Sequence, residues 1–174
     1  FDWKRNYRDL AVEDNTDLLI YTVGRETAPL TFNPLIPPPG TDPRTWLKKL
    51  IEIIAHAYFL GEGVMFLLQE AIDQVYQDFK IYDGNPKSYP TFLDVAQQLE
   101  SQPVRGRKAL WMDSTVRGIK SICFGHMGSV VNTGTQPDLA QLLERNVILE
   151  LDGLTNADKT LITEALLLWM HHYR

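Results

Sequence analysis

At 174 residues, with 44% apolar and 22% charged side chains, the chain has the length and composition of one globular domain with a core of its own. A formal charge of −5, from 17 basic and 22 acidic side chains, excludes global attraction to a phosphate backbone, so any nucleic-acid contact must come from a local basic patch. Cys123 is the only cysteine, which excludes an internal disulfide and a cysteine-only zinc cage; no apolar run nears the roughly 18 residues of a membrane span, and a cytoplasmic protein without membrane contact is expected.

The start, Phe1-Asp2-Trp3-Lys4, has neither the basic lead nor the apolar stretch of a secretion signal and no initiator methionine, as expected of a piece of a longer chain. Asp17 to Val23 is a β-rich apolar run closed by Gly24, the makeup of a buried strand. Residues 27 to 43 carry Pro29, Pro34, Pro37, Pro38, Pro39 and Pro43, which exclude a helix interior and favour an extended connector. Asp42 before Pro43 is a helix start, and Trp46, Leu50, Ile53, Ile54 and Ala57 recur behind it at helical spacing, predicting a helix over about 43–59. Gly61 and Gly63 are expected to break it, after which Leu67, Leu68, Ala71, Ile72, Val75, Tyr76 and Phe79 mark a second helix packed on the first as a hairpin. Pro90 opens a third helix through Phe92, Val95, Ala96 and Leu99, and Ala109 to Ile122 reads as a fourth. The chain then returns to sheet: Ser129-Val130-Val131 as a short strand, Pro137 to Leu143 as a short helix, and Asn146 to Leu151 as a buried strand. Thr155 with Asp158 forms a capping box for a last helix whose Leu161, Ala165, Leu168 and Trp169 face inward. The pattern is α/β, with strands at both ends enclosing a helical block.

The chain has no Gly-Lys pair, so it lacks the phosphate loop whose backbone amides and lysine hold a nucleotide. Gly125 to Ser129 reads as an ordinary turn. Val147 to Asp152 is an apolar strand ending in an acid, compatible with a magnesium ligand or with a strand-to-helix turn at Asp152-Gly153. His56, His126, His171 and His172 show no zinc spacing; His56 reads as a helix-face residue, and His171 and His172 fall in a last helical turn where cationic side chains suit the helix dipole. No serine lies in a Gly-x-Ser-x-Gly elbow. Two basic clusters remain: Lys4, Arg5 and Arg8, and Arg105-Gly106-Arg107-Lys108 in an expected loop, a candidate phosphate contact or a solvated loop.

Three stretches together resemble HerA-like ATPases of the HerA and FtsK group. Asp2, Lys4, Tyr7 and Leu10 match the strand and turn that follow the phosphate-loop helix in that family. Gly24-Arg25 followed by Leu30-Thr31-Phe32-Asn33-Pro34-Leu35 resembles its Gly-Arg and Leu-x-Phe-Asn-Pro-Leu. Asp138-Leu139, Leu142 to Arg145, Val147 to Leu154 and the helix to Arg174 resemble the strand and helix that precede its acidic Walker B strand.

The resemblance implies a partial RecA-like P-loop NTPase sheet with a helical insertion, divided as residues 1–42 (strands and connector), 43–122 (insertion) and 123–174 (return to the core). It places the phosphate loop before Phe1 and Walker B after Arg174. It implies a hexameric DNA translocase or helicase that uses ATP and Mg2+ in the full-length parent, with neither held tightly by this segment and with a nuclease or other effector as a further partner. Asp2 is then a catalytic candidate beside the missing loop, weighed evenly against a turn-capping aspartate. Lys4 is a contact near phosphate or a neighbouring subunit; Arg105, Arg107 and Lys108 are candidates for DNA; Asn33 is structural; no metal ligand is assigned. The competing expectation is that residues 43–122 form a helical protein-interaction module without catalytic activity.

Overall fold

The computed structural model describes residues 1–11, 17–135 and 137–173, so the expected last residue of the final helix, Arg174, lies outside the described residues. Strand β1 (Leu18–Thr22) pairs in parallel with β2 (Asn146–Glu150), with Leu18 opposite Asn146 and Thr22 opposite Glu150. On the other edge of β2, Asp2 makes a single parallel bridge to Glu150: its amide donates to the Leu149 carbonyl at 2.8 Å and its carbonyl accepts from Leu151 at 2.8 Å. The segment at Asp2, β2 and β1 therefore lie side by side with β2 in the middle. Parallel strands need a long crossover between them, and the helical block supplies it.

That block is α1 (Pro43–Tyr58), α2 (Glu62–Asp78), α3 (Phe92–Ser101) and α4 (Arg107–Cys123), followed by α5 (Gly125–Val131) and α6 (Leu139–Leu143); α7 (Asn156–Tyr173) closes the chain after β2. Helix α1 starts as read, with Asp42 accepting from the Thr45 amide at 2.9 Å and Pro43 in the first turn. Its buried stripe of Trp46, Leu50, Ile54 and Ala57 packs against α2 on one side and α7 on the other. Helix α7 is apolar nearly all round, with Leu161, Ile162, Ala165, Leu166 and Trp169 buried because it lies between α1 and the sheet. Among the described residues no helix is long and apolar enough to cross a membrane.

Three expectations need correction. Ser129-Val130-Val131 is the end of helix α5, not a strand: Met127, Val130 and Val131 are buried at helical spacing while Ser129 is exposed, and core burial outweighs the weak β preference of valine. Gly61 caps α2, but Gly63 lies inside it, where the Trp111 ring packs so closely that an added Cβ would meet it at 2.5 Å. Pro90 stands just outside α3, which is capped instead by the reciprocal pair Thr91 and Asp94.

The proline-rich connector crosses the interior without a ladder of its own, so side chains supply the missing donors. The Trp46 indole donates to the Pro34 carbonyl at 2.9 Å, and the buried Tyr76 hydroxyl donates to Leu35 at 2.8 Å. The fully buried Asn33 amide donates to Pro90 at 2.8 Å and to Thr133 at 2.7 Å, and its oxygen accepts from the Leu35 amide at 2.9 Å. Asn33 thus ties the connector to two other loops, which is the structural role read for it.

The end of α1 meets the start of α7 at a buried carboxylate. Thr155 Oγ1 donates to Asp158 Oδ2 at 2.7 Å, completing the expected cap, and the Tyr58 hydroxyl donates to Asp158 Oδ1. Burial, and then this bond to Asp158, push the Tyr58 phenol well above its ordinary range, so it stays a donor. Tyr58→Phe removes a donor to a buried charge without changing the ring's shape, with an expected loss of about 2 kcal/mol in urea unfolding; an unchanged midpoint would show that the contact carries no weight.

Candidate functional site at the carboxyl ends of the strands

The three parallel segments end at one level. Asp2, Glu150 and Thr22 are mutual register partners, so their side chains form a row on one face of the sheet, 2%, 1% and 3% exposed respectively. The carboxyl edge of parallel strands is where α/β folds bind ligands, and this edge bears a buried acid, a second buried acid and a hydroxyl.

Asp2 organises the turn that follows it. Oδ1 accepts from the amides of Lys4 at 3.2 Å and Asn6 at 3.1 Å, and Oδ2 accepts from Tyr7 at 2.9 Å. Burial pushes the carboxyl up, but the combined backbone donors of Tyr7, Asn6, Lys4 and Arg5 outweigh it, and its pKa falls below the ordinary 3.8. These are the contacts of a turn-capping aspartate. They place Lys4 and Arg5, both exposed, at the strand edge, with Arg5 in the left-handed region at φ 61°.

Glu150 was counted in the sequence only as part of an apolar strand, yet it is the centre of the row. Arg8 grips it with both arms of its fork, Nε to Oε1 at 2.6 Å and Nη2 to Oε2 at 3.0 Å, and Arg5 Nε lies 3.6 Å from Oε2. The bond to Glu150 raises the Arg8 pKa, burial opposes it, and the charges of Glu150 and Asp152 add to the rise. The signal was available: an acid inside an otherwise apolar strand must find a cation.

Asp152 belongs to the strand-to-helix turn and is held by Arg25 at 2.5 Å. Gly153 lets the arginine lie across the turn, since an added Cβ would come within 3.1 Å of Arg25 Nε. The other oxygen of Asp152, and Thr22 Oγ1, are buried without a hydrogen-bond partner among the described residues. Beside β1 opens a cavity of about 620 Å³ lined by Gly24, Arg25, Glu26, Thr31, His126 and Ser129 among others. Gly125 to Ser129 form the first turns of α5 at its wall rather than a free turn.

The second basic cluster lies elsewhere, on the helical block. Arg105 is exposed before α4, whereas Arg107 and Lys108 form its first turn rather than a loop. Arg107 lies over the Trp111 ring at 5.5 Å, and Lys108 is paired to Glu70 at 3.0 Å. The structure therefore brings Asp2 and Lys4 together and keeps Arg105, Arg107 and Lys108 apart from them. Of the histidines, His56 pairs with Glu164 at 2.9 Å on the α1 surface. His172, expected to favour a cationic form, is instead held below its ordinary 6.5 by burial and by Lys49 and His171, and it accepts from the Lys49 ammonium at 2.8 Å.

No protein-family model matches the chain, and no curated protein matches it. Among solved structures, VirB4 of Thermoanaerobacter pseudethanolicus superposes with a TM-score of 0.63 at 16% sequence identity, covering 97% of this chain and 67% of that one. The two share a fold. The likeness is one of fold alone: a helix-rich architecture with a small parallel sheet and a helical block between its strands.

Because the Asp2 pKa is lowered on folding, its contribution to stability is present above the ordinary value of 3.8 and is lost as pH falls through the folded value. The gap in urea midpoint between the wild type and Asp2→Asn is expected to be full at pH 7 and to shrink below pH 3.8. A gap that does not change with pH would remove the carboxylate from the turn's energetics.

Proposed function

We propose that this chain is the segment of an ATP-driven DNA-translocating motor of HerA type that lies between the phosphate-loop helix and the Walker B strand. The observation that carries this reading is the row of Asp2, Glu150 and Thr22 at the carboxyl ends of parallel strands, in a fold shared with VirB4, a P-loop ATPase of the FtsK/HerA-type superfamily. On this reading ATP and Mg2+ are held by the full-length protein, and bound ATP supplies the phosphate-bond cleavage that drives movement. The residues here fit one wall of such a site: unpartnered buried oxygens on Thr22 and Asp152 lie at the same edge as the cations Lys4, Arg5 and Arg8.

The role of each residue follows from its contacts. Asp2 holds the turn from Lys4 to Tyr7, and through that turn it sets where Lys4 and Arg5 stand. Glu150 holds Arg8 bidentately and keeps its guanidinium at the strand edge. Lys4, whose ammonium has no partner among the described residues, is the cation offered to a phosphate or a neighbouring subunit. In the parent a hexameric ring moves DNA and delivers it to a nuclease or another effector.

A second reading keeps residues 43–122 as an interaction module without catalysis. What favours it is that α2 packs against α1, α3 and α4 in turn, giving the block a run of helix-on-helix contacts.

ATP binding by calorimetry and DNA-stimulated phosphate release separate the two readings when this chain is measured beside its full-length parent. The motor reading expects turnover in the parent alone and a fall of about tenfold or more in parental kcat for Asp2→Ala with the fold retained. Silence in both proteins, or an Asp2→Ala parent as active as the wild type, would favour the module.

A further inference from the structure

Helices α1 and α7 run antiparallel along one seam, and three polar contacts stitch it in order. Tyr58 meets Asp158 at the strand-edge end, His56 Nδ1 lies 2.9 Å from Glu164 Oε1 in the middle, and Lys49 Nζ lies 2.8 Å from His172 Nε2 at the far end. The middle and far contacts stand two turns apart on both helices, about 10 to 12 Å along the axis.

The two histidines answer a proton in opposite ways. A protonated His56 makes an ion pair with Glu164. His172 faces an ammonium, which only donates, so Nε2 must offer its lone pair to Lys49 and the ring proton sits on Nδ1. A second proton on that ring removes the acceptor and sets two cations against each other. Lys49 is half-buried and has no carboxylate partner among the described residues, so nothing else offsets its charge there.

The groups that face His172 are few. From α1 come the Lys49 ammonium and the edge-on Trp46 ring, 6.1 Å away between centroids; from α7 comes the His171 ring at 5.6 Å. Glu52, a turn beyond Lys49 on α1, is exposed and pairs with neither among the described residues. The adjoining connector, residues 33–41, carries no ionisable side chain. Asp138 at the start of α6 lies across a cavity from Tyr173 and is held by the Ala140 amide at 3.1 Å. The charges that act on His172 are those of Lys49 and His171.

We propose that the last turn of α7 is a pH-sensitive latch on α1, closed while His172 accepts from Lys49 and opened from its far end when His172 takes a proton, with His56–Glu164 and Tyr58–Asp158 holding the rest of the seam. Opening uncovers the edge of Trp46, whose indole donates to the Pro34 carbonyl, so the latch bears on the connector that Asn33 ties down. Burial, Lys49 and His171 hold the His172 pKa below its ordinary 6.5, so the latch contributes fully above 6.5 and its contribution is lost as pH falls from there through the folded value. The latch needs no nucleotide and does not depend on the motor reading.

The experiment is an NMR pH titration of the histidine rings in this 174-residue chain, with amide hydrogen exchange measured in parallel. His172 is expected to titrate below 6.5, and Lys49→Met to move its midpoint upward while that of His56 stays in place. Exchange protection, corrected for the intrinsic effect of pH, should fall for Trp169 to Tyr173 from about pH 8 to 5 and stay level for Asp158 to Ile162. In His172→Gln, whose side-chain oxygen still accepts from Lys49 and does not titrate, protection of that turn should not change with pH. Lys49→Gln carries the same expectation should Lys49→Met fail to fold. A His172 midpoint at or above 6.5, a midpoint unmoved by the Lys49 substitution, or protection that stays level in the wild type or falls equally in His172→Gln would each overturn the latch. Turnover in the parent is untouched by any of these outcomes.

Discussion

The carboxylate of Glu150 sits 1% exposed in the middle of a three-segment sheet, and an unpaired charge there would cost several kcal/mol. Everything at the strand edge follows from satisfying it. Arg8 must reach it, so the chain after Asp2 has to turn back over the sheet within six residues. That turn is shaped by the Asp2 carboxylate, which gathers the amides of Lys4, Asn6 and Tyr7, and Asp2 is itself pinned to β2 by two 2.8 Å backbone bonds. Glu150, Arg8 and Asp2 therefore define one another's positions, and Lys4 and Arg5 are carried to the edge as a result.

A second chain of contacts joins this edge to the helical block. Asp152 follows Glu150, Gly153 accommodates Arg25, and Asp158 three residues into the cap of α7 takes the Tyr58 hydroxyl at the end of α1. From Tyr58 the chain runs through the exposed Phe59 to Leu60, which lies against Gly118 of α4. On the far side, Asn33, Trp46 and Tyr76 stitch the connector to α1, α2 and the loops before α3 and α6. The sheet edge and the helical block thus belong to one contiguous packed body rather than to two units joined by a linker.

Helices α1, α2, α4 and α7 were legible in the sequence because their apolar periodicity, prolines and caps agree with one another, as in Asp42-Pro43 and Thr155 with Asp158. The strands were legible as apolar runs. What misled was local: three residues at Ser129 to Val131 cannot display a period, and Gly63 looks like a breaker until Trp111 is seen lying on it. The candidate site was legible in part. Asp2 and Lys4 were found through a resemblance, but Arg8 and Glu150 stand 142 positions apart and no spacing rule brings them together. That Lys108 lies in the first turn of α4 and is paired to Glu70 is likewise a property of packing, since the sequence placed it in an exposed loop.

The Glu150–Arg8 pair bears on whether the edge is scaffold or site. A buried ion pair is a poor way to stabilise a sheet, because apolar side chains of similar volume do as well or better in its place. What the pair does provide is direction: a fork that leaves one geometry for the guanidinium, and with it one path for the backbone from Lys4 to Arg8. Fixing a short cationic turn at the carboxyl ends of parallel strands has little purpose if that edge only faces solvent. It has a clear one if anionic groups are to be met there, where the Thr22 hydroxyl, without a partner among the described residues, is a further donor.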